Sequence, residues 1–294
     1  TLESSFPVTI TQYALATTAT TTRWAHITWV GPGQASGGQG WVPNSALGTS
    51  SSSAAKQIGD LGALSITLGQ AMAPYGTHFL GDIYFPGDGS RFSAASTAHS
   101  FALSSGLRAV LLVALYSNQE KHPTTPNLTL FNGVARGDNT SASTAYNQLG
   151  GAKGVGKFLG AYAISGIHLT NNNWKGAQAT TLALVQFYED ADGVGNSHIL
   201  NQSDQQTVRT DLINANVASV AQLGAQRLLG ASGLLVVDVG SDSSGSWAIA
   251  AGVLTPQGAP TAVVVAVAQG QSSTKAAMAA LQTFFKQLGL TLIG

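Results

Sequence analysis

Cysteine is absent from the 294-residue chain, which excludes disulfides, Cys-ligated metals and a thiol nucleophile. Charge is scarce as well. Only 9% of residues are Asp, Glu, Lys or Arg, against about 25% in ordinary soluble domains. The 13 basic and 13 acidic side chains cancel, which removes the electrostatic argument for a binder of nucleic acid or another polyanion. Long apolar runs are missing too. Val110 to Tyr116 and Ala262 to Ala268 fall far short of the ~20 residues that span a bilayer. What remains is 44% hydrophobic residues diluted by Thr, Ser, Gln, Asn, Gly and Ala. That supports a sizeable core and excludes a charge-driven disordered chain or a coiled coil. A neutral polar surface of this kind is common among exported proteins, and an extracellular or cell-envelope location is the expectation.

Four consecutive serines beside Gly48 mark a break. Such a stretch cannot bury apolar area, so residues 49–55 read as a linker between a unit at 1–48 and one at 56–294. The first unit is β-rich: Pro7 to Thr11 and Trp24 to Val30 are runs of β-branched and aromatic residues. Gly31-Pro32-Gly33 and Gly37-Gly38 supply turns before Trp41-Val42-Pro43 and Ser45-Ala46-Leu47. This order resembles a bacterial SH3-like domain, which implies a peptide or cell-wall ligand. A small β-unit that only packs against its neighbour is the equal alternative.

The second unit reads as α/β of the α+β type. Lys56 to Gly69 is weakly helical. Phe79 to Phe85 and Arg91 to Ser93 read as strands around Pro86-Gly87-Asp88-Gly89. Ser104 to Tyr116 is apolar on every side, the mark of a buried helix. Helices follow at Ser141 to Leu149, Lys153 to Tyr162, Ala177 to Asp190 and Ser203 to Asn214. Strands are expected at Gly233 to Val239, Ser246 to Leu254 and Ala262 to Ala268. A last helix runs from Ser272-Ser273 through Lys286 and stops at Gly289. Strands from both ends of the unit must then meet in one antiparallel sheet flanked by helices.

Several chemistries lack their motif: there is no Gly-x-Ser-x-Gly and no His-Glu-x-x-His, and the phosphate-binding Gly-x-x-x-x-Gly-Lys-Ser/Thr is incomplete, since Phe158 follows Gly151 to Lys157. The six histidines show no paired metal spacing. Asp190 to Asn196 has part of a calcium-loop pattern but lacks its closing Glu, and reads as a solvated helix end. Neither a metal nor a cofactor is expected.

One constellation carries more. Ser104-Ser105-Gly106-Leu107-Arg108 heads the buried helix, Gly137-Asp138-Asn139 precedes another helix, and Asp238-Val239-Gly240 lies on a late strand. The arrangement over residues 56–294 resembles the class A β-lactamases and penicillin-recognising serine hydrolases. In that family a Ser-x-x-Lys heads the helix, a Ser-Asp-Asn sits on a loop and a Lys-Thr-Gly lies on a strand. The resemblance implies Ser105 as nucleophile and Arg108 in place of the lysine that takes its proton. It implies Gly137 in place of the proton-shuttling serine, with Asp138 and Asn139 completing that motif. It places Asp238 just before the third motif, Val239 at its lysine, and Gly240-Ser241 where Thr-Gly is expected.

The departures weigh against turnover. Arginine stays protonated and is no general base. Gly137 has no hydroxyl and Val239 no charge. No Asp or Glu occurs between Asn139 and Tyr188, so the family's deacylating Glu is missing. Each residue also has a bland reading: Ser104 and Ser105 as helix caps, Arg108 as a buried cation held by carbonyls or by Asp138, and Asp138 and Asn139 as a cap. The sequence therefore leads to an exported β-lactamase-like protein with a degraded catalytic set of Ser105, Arg108 and Asn139, acting as a binding module. An active serine hydrolase on β-lactam or peptidoglycan-type amides, and a cell-wall binder acting through residues 1–48, are the alternatives.

Overall fold

The computed structural model describes strands at residues 8–15, 23–29 and 38–43, and residues 64–293 apart from 65–66, 88, 94–99, 124–125, 171–172, 195–197 and 231. The expected linker 49–55, the closing Ser45-Ala46-Leu47 and most of the helix expected from Lys56 lie outside the described residues. Strands β1 (Val8–Leu15), β2 (Arg23–Trp29) and β3 (Gly38–Pro43) form an antiparallel sheet in sequence order. Val8 pairs with Trp29 and Trp24 with Pro43. The β-branched and aromatic runs thus become strands, as such residues favour.

The larger unit begins with α1 (residues 67–72) and the hairpin of β4 (Phe79–Phe85) and β5 (Ser90–Ser93). Short β6 (Phe101–Ala102) then leads to helices α2 (Leu107–Lys121), α3 (Leu128–Ala135), α4 (Asn139–Gln148) and α5 (Gly151–Ala161). Next come β7 (Ile167–His168), β8 (Gln178–Ala179), α6 (Thr181–Asp192), α7 (Gln202–Leu223) and the short α8 (Gln226–Leu229). The chain closes with β9 (Leu234–Asp242), β10 (Gly245–Leu254), β11 (Ala262–Gln271) and α9 (Thr274–Leu292).

Strands from both ends do meet: the five-stranded sheet has the order β5-β4-β11-β10-β9, antiparallel throughout. Alternating side chains of one strand serve opposite faces. Leu234 and Val236 join the core under α2 and α6, while Leu235 and Val237 join the core under α9. Because both faces are covered, Val263 to Ala268 of β11 is buried without a break. α2 lies within the first core and is buried from Leu107 to Ser117, which explains its apolar character all round. Asp82, fully buried on β4, is paired with Arg91 of β5 and accepts from Thr181 Oγ1 of α6 at 3.0 Å. The hairpin is thereby tied to the helical layer.

Helix boundaries differ from expectation where local polar groups decide them. α3 was not anticipated; Asn127 caps it by accepting from Leu130 N at 3.1 Å. α6 starts later than Ala177 because Gln178 and Ala179 pair as a strand and Thr180 caps the helix. α7 continues well past Asn214 to Gly224, whose φ of 69° ends it. α9 runs straight through Gly289 instead of stopping there. The expected solvated end at Asp190 to Asn196 is corrected too. Asp190 and Asp192 are buried in α6, and Asp192 is held by Arg209 at 2.8 Å.

Candidate functional site

Ser105 sits in a single 3-10 turn, Ser104–Gly106, that feeds directly into α2. Neither the turn nor α2 has a side-chain cap, so Ser104 and Ser105 are not N-caps. Ser104 has φ of 45°, a left-handed conformation that costs a non-glycine residue of order 1 kcal/mol or more and that clusters at functional sites. Ser105 is half-buried next to it.

Arg108 points into the interior and is only 4% exposed. Its Nη1 donates to Ala135 O at 3.2 Å. Its Nη2 donates to Asn216 Oδ1 at 2.8 Å and Val237 O at 3.2 Å, and lies 3.0 Å from Asp238 Oδ1. The guanidinium is thus shared between the end of α3, α7 and strand β9. Its acid is Asp238 and not Asp138. Asp138 instead caps α4, accepting from Ser141 N at 2.7 Å, and hydrogen bonds from the Ser141 hydroxyl and then from that N–H hold its carboxyl below the usual range.

Strand alternation decides what β9 contributes. Asp238 shares the face of Leu234 and Val236, toward α2, whereas Val239 points away and is 48% exposed. The residue that meets the head of α2 is therefore an acid. Burial pushes the Asp238 carboxyl above its usual range, offset in part by the Arg108 charge and by the Ser105 hydroxyl, which lies in hydrogen-bonding reach. Asp238 Oδ2 and Arg108 Nε have no protein partner among the described residues. The Tyr188 phenol, buried on α6, is pushed up by the same burial and by Asp238.

Asn216 was not anticipated. Its Oδ1 accepts from Arg108 and from Val237 N at 3.1 Å, and its Nδ2 donates to Leu212 O at 2.7 Å. One amide thus ties α7 to β9 and to the guanidinium. The signal was present: buried Val208, Leu212, Val220 and Leu223 form an apolar stripe on α7, and Asn216 interrupts it. A polar residue in such a stripe needs partners in the core.

Gly137 follows from Arg108. Its φ is 76°, and a Cβ there would lie 2.9 Å from Arg108 Nη1. The guanidinium occupies the space that any side chain at 137 would need. Asn139 opens α4 and is exposed, and it is not among the partners of Arg108. Gly240 faces Trp247 across β10, so close that a Cβ would lie 2.5 Å from the indole ring. The stretch without acids between Asn139 and Tyr188 is held by neutral groups. Trp174 Nε1 donates to Ser143 Oγ at 3.1 Å and Tyr146 OH to Thr170 O at 2.6 Å. Among the described residues no cluster of His, Asp or Glu is suited to a metal ion.

The antiparallel sheet with α9 on one face and, on the other, α2 headed by a half-buried serine turn matches a known architecture. The domain has the class A β-lactamase fold. It is similar to a β-lactamase of Xanthomonas campestris, with TM-score 0.63 and 14% identity over 79% of this chain and 98% of the other. A β-lactamase of Desulfarculus baarsii gives TM-score 0.60 and 15% identity over 78% and 98%. A variant of the last common ancestor of Gram-negative bacterial class A β-lactamase gives 0.61 and 17% over 78% and 97%. No protein-family model matches the chain, nor does any curated protein sequence. At these identities the β-lactamase fold is what is shared, and the site must be read from its own side chains.

The dependence of position 137 on Arg108 gives a direct expectation. Gly137→Ser should destabilise the protein by about 1–3 kcal/mol, through strain at positive φ and overpacking. In an Arg108→Lys background, where no Nη1 is present, the same change should cost at least ~1 kcal/mol less. Urea denaturation of the four proteins measures this. Equal costs in both backgrounds would show that something other than the guanidinium keeps position 137 bare.

Proposed function

We propose that the β-lactamase-fold domain is a binding module whose catalytic set has been lost, in an exported protein whose N-terminal strands belong to an SH3-like unit. The observation that carries this reading is the immobilised Arg108 guanidinium. It pairs with Asp238, binds two carbonyls and Asn216, and fills the space beside Gly137. A permanently charged group in that position cannot accept the Ser105 proton. Nothing at 137 can return a proton to a leaving nitrogen. Val239 offers no charge to a substrate carboxylate. A cell-wall or peptide ligand suits the implied compartment and the SH3-like resemblance.

A second reading has one observation in its favour. The Ser105 hydroxyl approaches the Asp238 carboxylate, whose raised proton affinity makes it a better acceptor than an ordinary Asp. On this reading Asp238 is the base of an active serine hydrolase working on β-lactam or peptidoglycan-type amides. Labelling with a fluorescent penicillin, with Ser105→Ala as control, separates the two. The binding reading expects no label that depends on Ser105. Stoichiometric label that vanishes in Ser105→Ala supports the hydrolase.

A further inference from the structure

On the opposite side of the sheet from Ser105, the end of α7, the short α8 and the last turns of α9 enclose a groove of about 470 Å³. That volume lies within the range of roughly 300–1,000 Å³ typical of small-molecule sites. Its floor is the buried side chains Leu223, Leu228 and Phe285. Leu290 and Ile293 continue the apolar lining outward and are 58% and 39% exposed. Two cations, Arg227 and Lys286, lie in the walls, and among the described residues the walls contain no carboxylate. Among the described residues neither cation forms an ion pair. Lys286 also lies short of the last turn of α9, where a helix terminus alone would account for a cation.

Gly289 adds an independent observation. It lies in the interior of α9, where glycine is disfavoured against alanine. Yet no atom lies within 4 Å of the position its Cβ would take, and the same holds for Gly224 at the end of α7. Packing therefore does not require glycine at 289; a side chain there would project into the groove that Gly289 lines.

We propose that this groove binds a medium-chain alkyl carboxylate, its chain over Leu223, Leu228 and Phe285 and its head group between Arg227 and Lys286. An apolar trough walled by two cations that form no ion pair among the described residues fits an anionic amphiphile and rejects a cationic one. The site is separate from Ser105, so it stands or falls independently of any chemistry there.

The test titrates the full chain with decanoate and with decyltrimethylammonium, by calorimetry and by methyl NMR. Decanoate should bind saturably at one site, with shifts concentrated at Leu228, Leu290 and Ile293, while decyltrimethylammonium does not bind. Gly289→Leu should fold with an unchanged or higher Tm and weaken decanoate binding at least tenfold. Arg227→Gln with Lys286→Gln should weaken it at least tenfold. Equal affinity of wild type and Gly289→Leu for decanoate, equal binding of the two amphiphiles, or no saturable binding would each overturn the proposal. The comparison of head groups on the wild-type protein decides it even if a variant fails to fold.

Discussion

Arg108→Ala should lower the unfolding free energy by about 3–5 kcal/mol at neutral pH, the range for breaking a buried ion pair by removing one partner. Three costs add. Asp238 is left as an uncompensated charge on the inner face of β9. Ala135 O, Val237 O and Asn216 Oδ1 lose their donor. The space of the guanidinium is emptied, since Gly137 has no side chain to collapse into it. The effect must depend on pH, with a defined sign. Asp238 already holds its proton more tightly than an ordinary Asp because of burial, and Arg108 is the main influence pulling the other way. Without Arg108 its folded pKa rises further. A group with a raised folded pKa contributes stability that is fully present below its unfolded value, about 4 for Asp, and is lost as pH rises through the folded value. The deficit of Arg108→Ala against wild type should therefore be largest near neutrality and shrink toward pH 4. Urea titrations at several pH values measure it. A deficit below about 1 kcal/mol, or one that grows on acidification, would show that Arg108 does not balance Asp238.

Much of the fold was legible because it rests on strong local patterns. The all-apolar stretch after Ser105 could only be a buried helix, and the runs at Phe79, Gly233, Ser246 and Ala262 became strands of one sheet. Boundaries were less legible where one polar side chain sets them, as Asn127 and Thr180 do. Gly289 misled because glycine ends helices through positive φ, and here it keeps helical geometry beside a groove. At the site, sequence spacing located the head of α2, the turn at Gly137 and the strand at Asp238. It did not show which face of β9 turns inward, so Val239 stood at a position whose inward neighbour is Asp238. Nor did it find Asn216, which comes from a helix distant in sequence and meets Arg108 only through the tertiary fold. The likeness of the motifs was visible in the residues, but the reason they differ was not. A Cβ at Gly137 would lie only 2.9 Å from Arg108 Nη1, so the two departures are coupled.

Hydrolysis of a chromogenic cephalosporin, wild type against Ser105→Ala, tests the central claim most directly. A general base, a proton donor to the leaving nitrogen and a positive charge for the substrate carboxylate are each worth on the order of 10²-fold or more. Arg108, Gly137 and Val239 supply none of them, and the stretch from Asn139 to Tyr188 has no acid to drive deacylation. Such losses leave little beyond oxyanion stabilisation by backbone N–H groups at the Ser105 turn. The account predicts that wild type turns over the cephalosporin no faster than Ser105→Ala. Turnover of several per second by wild type, with the Ser105→Ala variant inactive, would contradict it and make Asp238 the base that Arg108 cannot be.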